Sequence, residues 1–118
     1  MTKAADWHEV DRDHHSAFQR VFNAHPGVSD VAADCPVCSH ATLHRFYLVE
    51  MERPKVILGE TYKGPGRLWQ WCSTCKSFGY YPDGWVPEWW TSPYEVDKES
   101  LRYDPGPIEE ARSNAAGK

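Results

Sequence analysis

Trp7, Val10, Ala17, Phe18, Val21 and Phe22 recur at near-helical spacing, with His14 on the same stripe. Residues 6–24 are therefore expected to form an amphipathic helix. Asp6 is placed to cap its start, Glu9 sits at the reciprocal capping-box position, and His25-Pro26-Gly27 stops it. Residues 28–34 read as a polar connector. Beyond them the composition turns to β-branched and aromatic residues. Thr42 to Val49 predicts a first strand, ended by Arg53-Pro54, and Lys55 to Tyr62 a second. Lys63-Gly64-Pro65-Gly66 predicts a turn, Arg67 to Trp71 a third strand, Ser77 to Tyr81 a fourth, and Pro82-Asp83-Gly84 a further turn. The expected fold class is α+β: a small antiparallel sheet with the N-terminal helix packed on it.

Residues 1–104 are expected to make a single domain. Residues 105–118 are expected to be a flexible tail, or one that orders on a partner, because apolar residues are sparse there. Within that stretch Pro107 to Ala116 can start a helix, with Glu109 and Glu110 favourably placed in its first turn.

The four cysteines come as two pairs, Cys35-Pro36-Val37-Cys38 and Cys72-Ser73-Thr74-Cys75. A tight turn inside each pair lets both sulfurs face one ion, and two such turns supply a tetrahedral shell. Zinc suits four soft thiolates, and iron can take the same geometry. A shell of four cysteines leaves no open position for water, so one structural Zn²⁺ is the expected cofactor and the site is not a catalytic one. Two disulfides would suit a secreted chain, but the N-terminal residues lack the apolar core of a signal peptide, and a cytoplasmic location is expected. His40 and His44 follow the first pair, and either can replace a cysteine or serve as a neighbouring donor. His8, His14 and His15 raise a second metal site, against which stands the reading of a solvated helix face.

The chain has 118 residues and a net charge of −4. That charge divides as −3 over residues 1–34, +1 over 35–90 and −2 over 91–118. No segment has the dense basic stripe that phosphate binding requires. Four thiolates around one divalent ion add about −2. No apolar run approaches the ~20 residues of a membrane helix.

The two cysteine pairs and the strands flanking them resemble the zinc ribbon family over about residues 33–82. The resemblance implies a zinc-stabilised sheet of three strands and a binding role rather than chemistry. The family often has glycine after the second cysteine of each knuckle, where this sequence has Ser39 and Lys76. Cys35-Pro36-Val37-Cys38, Thr42-Leu43-His44, Trp69-Gln70-Trp71-Cys72-Ser73-Thr74-Cys75 and Val86-Pro87-Glu88-Trp89-Trp90 together look like small bacterial zinc-ribbon proteins, some of them immunity partners of polymorphic toxins. That resemblance implies binding and neutralising a toxin, and an acidic binder suits a basic one.

Eight of the sixteen aromatics lie between Trp69 and Trp90. Most are expected in the core, with Trp69 and Trp71 on one face of their strand. The segment 83–90 is the expected partner surface, through Trp85, Glu88, Trp89 and Trp90. The alternative is a nucleic-acid-binding ribbon using Arg45, Arg53, Lys55, Lys63, Arg67 and Lys76, with Trp69 or Tyr80 stacking on bases. No catalytic residue is assigned: the sequence shows no nucleophile–base pair, no phosphate loop and no open metal set.

Overall fold

A computed structural model describes residues 7–25 and 27–116. Its centre is a sheet built from β1 (His8–Glu9), β2 (Leu43–Val49), β3 (Lys55–Ile57), β4 (Glu60–Cys72) and β5 (Ser77–Pro87). Helices α1 (Arg12–Asn23) and α2 (Gly106–Ala116) complete it, with one 3-10 turn at Lys98–Ser100. The strand order is β1-β5-β4-β2, and β3 also pairs with β4. Tyr62 pairs with Lys55 on one side and Pro87 on the other, so β3 lies along the edge of β4 that β2 also uses.

The expected small antiparallel ribbon carrying an N-terminal helix is corrected in two respects. The sheet is mixed and five-stranded, because β1 runs parallel to β5, pairing His8 with Ser77 and Glu9 with Phe78. The helix starts at Arg12, after that strand. Asp11 is its cap, accepting the His14 N–H at 3.0 Å. Once His8 and Val10 donate their N–H groups to Lys76 and Phe78, residues 8–10 have a sheet partner and no need of helical bonds. The expected cap, Asp6, and the stop at Pro26 lie outside the described residues.

Two expected turns are also strand. Lys55 to Tyr62 bends at Leu58-Gly59 into a hairpin, whereas 63–66 and 82–84 run through β4 and β5, facing one another with Gly66 opposite Gly84. Gly64 and Gly66 are there for clearance. A Cβ on either would stand 2.0 Å from a carbonyl oxygen, that of Met51 or Leu48. The irregular spacing is absorbed by register shifts between Tyr62 and Gly64 and between Gly66 and Leu68.

Alternation along the strands sorts two cores onto opposite faces. Leu43 and Cys72, paired across β2 and β4, join Phe18, Phe22, Val31, Ala33 and Cys35 under α1. Phe46 and Trp69, also paired, join Trp71, Phe78, Val86, Trp90 and Ile108 under α2. Trp69 and Trp71 share one face, as their spacing requires, and both are fully buried. The expected tail beyond residue 104 contains α2, docked by the buried Ile108 and by Glu109, which accepts from Trp71 Nε1 at 2.8 Å.

Candidate metal centre

Cys35 and Cys38 lie in a turn inside the loop that the Ala33–Leu43 bridge closes. Cys72 ends β4, and Cys75 lies in the turn that leads to β5. The β2–β4 pairing of Leu43 with Cys72 holds the two turns side by side, helped by the Ser73 N–H, which donates to Thr42 O at 3.0 Å.

Both turns have one shape. The Ser39 N–H donates to Cys35 O at 2.7 Å, and the Lys76 N–H donates to Cys72 O at 3.0 Å. Ser39 and Lys76 take φ of 70° and 63°. These are the two positions where ribbons often carry glycine, and here the left-handed backbone is kept without it.

The four Sγ atoms lie within 4.8 Å of one another. Cys35 and Cys75 sulfurs are 3.8 Å apart, and those of Cys38 and Cys72 are 3.5 Å apart. A tetrahedral ion with metal–sulfur bonds of ~2.3 Å sets its sulfurs about 3.8 Å apart. None of the four is in a disulfide. The donor set and its spacing fit a metal ion, and zinc suits it best.

The surroundings favour thiolate at one corner. Burial pushes the Cys72 thiol up, but the Thr42 hydroxyl and the Cys75 and Thr74 amides outweigh it and hold it down to about 7. Thr42 Oγ1 stands 3.2 Å from the Cys72 sulfur and 2.7 Å from Thr74 Oγ1, so Thr74 can donate to Thr42 while Thr42 donates to the sulfur. Cys35 is pushed up to about 12 by burial, although the Val37 N–H donates to its sulfur at 3.3 Å. A bound cation is the partner that would let Cys35 ionise.

The histidines stand elsewhere. His40 is exposed, and only its backbone carbonyl takes part, accepting from the Cys35 N–H at 2.8 Å. His44 is buried on the α2 face, its Nδ1 3.0 Å from Val31 O. His14 bonds Asp11 and His15 bonds Tyr81. Among the described residues the four cysteines form the one group of metal-ligating side chains.

Of the expected partner surface, Glu88 is exposed and Trp85 and Trp89 are half-buried, but Trp90 is 3% exposed and belongs to the core. Trp90 turns inward because Trp89 and Trp90 are adjacent and cannot share a direction. The basic residues of the nucleic-acid alternative are largely engaged. Arg45 is buried at 4% exposure, Arg67 pairs with Glu50, and Lys63 donates to Trp90 O. Lys76 lies over the Trp7 ring, and Lys55 over Trp85. Trp69, one of the two expected stacking platforms, is fully buried.

The sequence pattern did not single out what Arg45 does. It donates to Phe22 O, His25 O and Val28 O at 3.2, 2.6 and 2.7 Å, closing the C-terminal end of α1, between the rings of Phe22 and Trp89. An alternating strand marks which face Arg45 takes, but not that a helix end awaits it.

No helix among the described residues is long and apolar enough to cross a membrane. No family model, no curated protein and no solved structure matches the chain.

Proposed function

We infer that the chain is a non-enzymatic, zinc-binding protein-interaction module related to the zinc ribbons, and in its sharpest form an immunity protein that binds and neutralises a cognate toxin. The observation that carries this reading is the closed set of four sulfurs, within 4.8 Å of one another, at the junction of two turns. Cys35, Cys38, Cys72 and Cys75 would hold the ion. When bound, it supplies cross-linking of the two turns, with no vacant position for a substrate. Thr42 and the knuckle amides orient and stabilise the sulfurs.

Binding then falls to the surface. The net charge of −4, made more negative by the thiolates, suits a basic protein partner. Exposed Glu88 beside half-buried Trp85 and Trp89 is the proposed contact, and Trp90 serves as its support from within. The burial of Arg45 and the contacts that Arg67, Lys63, Lys76 and Lys55 make within the chain weigh against phosphate binding.

The test has two parts. Elemental analysis of native protein is expected to find one zinc per chain. Affinity purification from the host, read by mass spectrometry, is expected to recover one basic protein, reduced at least tenfold by Glu88→Lys or Trp85→Ala. Metal-free native protein removes the premise. A complex indifferent to both substitutions removes the surface, and recovery of nucleic acid in place of protein removes the partner class.

A further inference from the structure

Past Leu43, the outer edge of β2 has no strand beside it. Leu43 exchanges both backbone bonds with Ala33, so its N–H and C=O point away from β4. The β2–β4 register is unbroken from Leu43 opposite Cys72 to Val49 opposite Gly66. By strand alternation Tyr47 and Val49 turn their N–H and C=O outward as well. The inward set agrees: the Ser73 N–H donates to Thr42 O, and the Glu50 N–H donates to Pro65 O. Among the described residues neither Tyr47 nor Val49 has a backbone partner on its outer side.

That edge is one wall of a cleft of about 880 Å³. The opposite wall is the chain from Ser92 to Lys98, with Leu101 behind it. Between them the floor is aromatic. Tyr94 stacks on Phe46 with ring centroids 6.0 Å apart, and Trp90 meets the same Phe46 ring edge-on at 5.6 Å. The outer wall follows β2 without sealing it. Pro93 has no N–H to offer, and the Ser92 hydroxyl donates to Tyr94 O within its own segment. The cleft therefore joins an apolar floor to a wall whose donor and acceptor recur at every second residue, ~6.8 Å apart.

We propose that this cleft binds an extended peptide segment, a loop or tail of a partner, which adds to β2 as a further strand. Its backbone bonds Tyr47 and Val49, and the side chain between those two bonds packs on Leu48, Val96 and Leu101. The page selects this occupant in three ways. A peptide backbone in β conformation supplies a donor and an acceptor at the repeat of the wall. A second folded copy would bring further strands behind its edge, and Ser92 to Lys98 stand where those would lie. Exposed Glu95 and Asp97 at the rim, against Lys98 alone, repel nucleic acid and favour lysine or arginine at the peptide's alternate positions.

A capped six-residue peptide alternating lysine and valine, titrated into the isotope-labelled, metal-loaded full chain and read by amide NMR, tests this. Saturable binding is expected, with a dissociation constant on the order of 100 μM. The Tyr47 and Val49 amide signals should move most and gain protection from hydrogen exchange. The same peptide N-methylated at its lysines keeps every charge and side chain but loses the pairing donors, and should bind at least tenfold more weakly. Val96→Gln removes apolar surface from the outer wall without touching β2, and should weaken binding about threefold or more. No saturation by about 1 mM overturns the proposal, and so does equal binding of the N-methylated peptide. Tyr47 and Val49 signals that move with protein concentration alone give the cleft to a second copy and overturn it equally. Movement confined to Trp85, Glu88 and Trp89 overturns it while leaving the contact proposed above intact, so the two readings fail separately.

Discussion

Ser39 and Lys76 show how far single residues constrain the metal turns. Each holds a left-handed backbone that costs a non-glycine residue about 1–2 kcal/mol. Ser39→Gly is expected to stabilise the metal-loaded protein by about 0.5–1 kcal/mol, since glycine removes the strain but has more unfolded freedom to lose. Denaturant unfolding reads this directly. Lys76→Gly should gain less or nothing, because its side chain also covers Trp7 at 4.8 Å. Glu109, on α2, acts at the other face of the sheet. Burial pushes its carboxyl up, but the Arg112 guanidinium, with both contacts at 2.8 Å, and the Trp71 N–H outweigh burial and hold it below the usual range. A depressed carboxyl adds stability that is present above the unfolded value and lost as pH falls through the folded one. Glu109→Gln is therefore expected to cost about 1–2 kcal/mol at pH 7. Its deficit against wild type should shrink as pH falls below about 4.5. Parallel thermal melts of the two proteins across that range check the sign. The cysteine spacing alone marks a candidate metal site, which the four clustered sulfurs fit. The relay from Thr74 through Thr42 to Cys72 was not legible in the sequence, because it joins residues 30 or more apart whose proximity only strand pairing creates.

At the scale of elements, the apolar periods located β2 and the strands leading to and from Cys72, but not the helix expected over residues 6–24, which is a strand followed by a helix from Arg12. They misplaced boundaries wherever tertiary contact overrode local preference. Gly64-Pro65-Gly66 reads as a turn from its composition, yet the glycines serve to let the Met51 and Leu48 carbonyls pass. The start of α1 moved from residue 6 to Arg12 because residues 8–10 add to the edge of β5. The end of α1 depends on β2. Arg45 supplies donors to three carbonyls of the α1 terminus and the following turn; Phe22 O also takes the His25 N–H, whereas His25 O and Val28 O have no backbone partner among the described residues. Arg45→Met keeps most of the apolar stem but removes every donor. It is expected to cost about 2–4 kcal/mol. Loss of hydrogen-exchange protection should centre on the last turn of α1. Uniform loss across β4 and β5 instead would show that the side chain supports the sheet and not the helix end.

The whole molecule is one sheet with a core on each face, and the candidate metal site belongs to only one of them. Cys35 and Cys72 are members of the core beneath α1, together with Phe18, Phe22 and Leu43. Trp69, Trp71 and Trp90 are members of the other, with Ile108 of α2. An ion linking the two cysteine turns therefore cross-links the α1 side, while the tryptophan side keeps its own apolar mass and the bond from Trp71 to Glu109. Removing the metal with a strong chelator, or replacing Cys72 by Ser, is expected to lower stability by several kcal/mol, about 3 or more, since buried thiolates lose the charge that balances them. The loss should be uneven. Hydrogen-exchange protection of the α1 amides should be lost at lower denaturant than the shift of tryptophan emission, so the two transitions separate in metal-free protein and coincide in metal-loaded protein. Coincident transitions in both states would mean that the sheet couples its two faces into one cooperative unit. The metal would then stabilise the aromatic core as much as the core beneath α1.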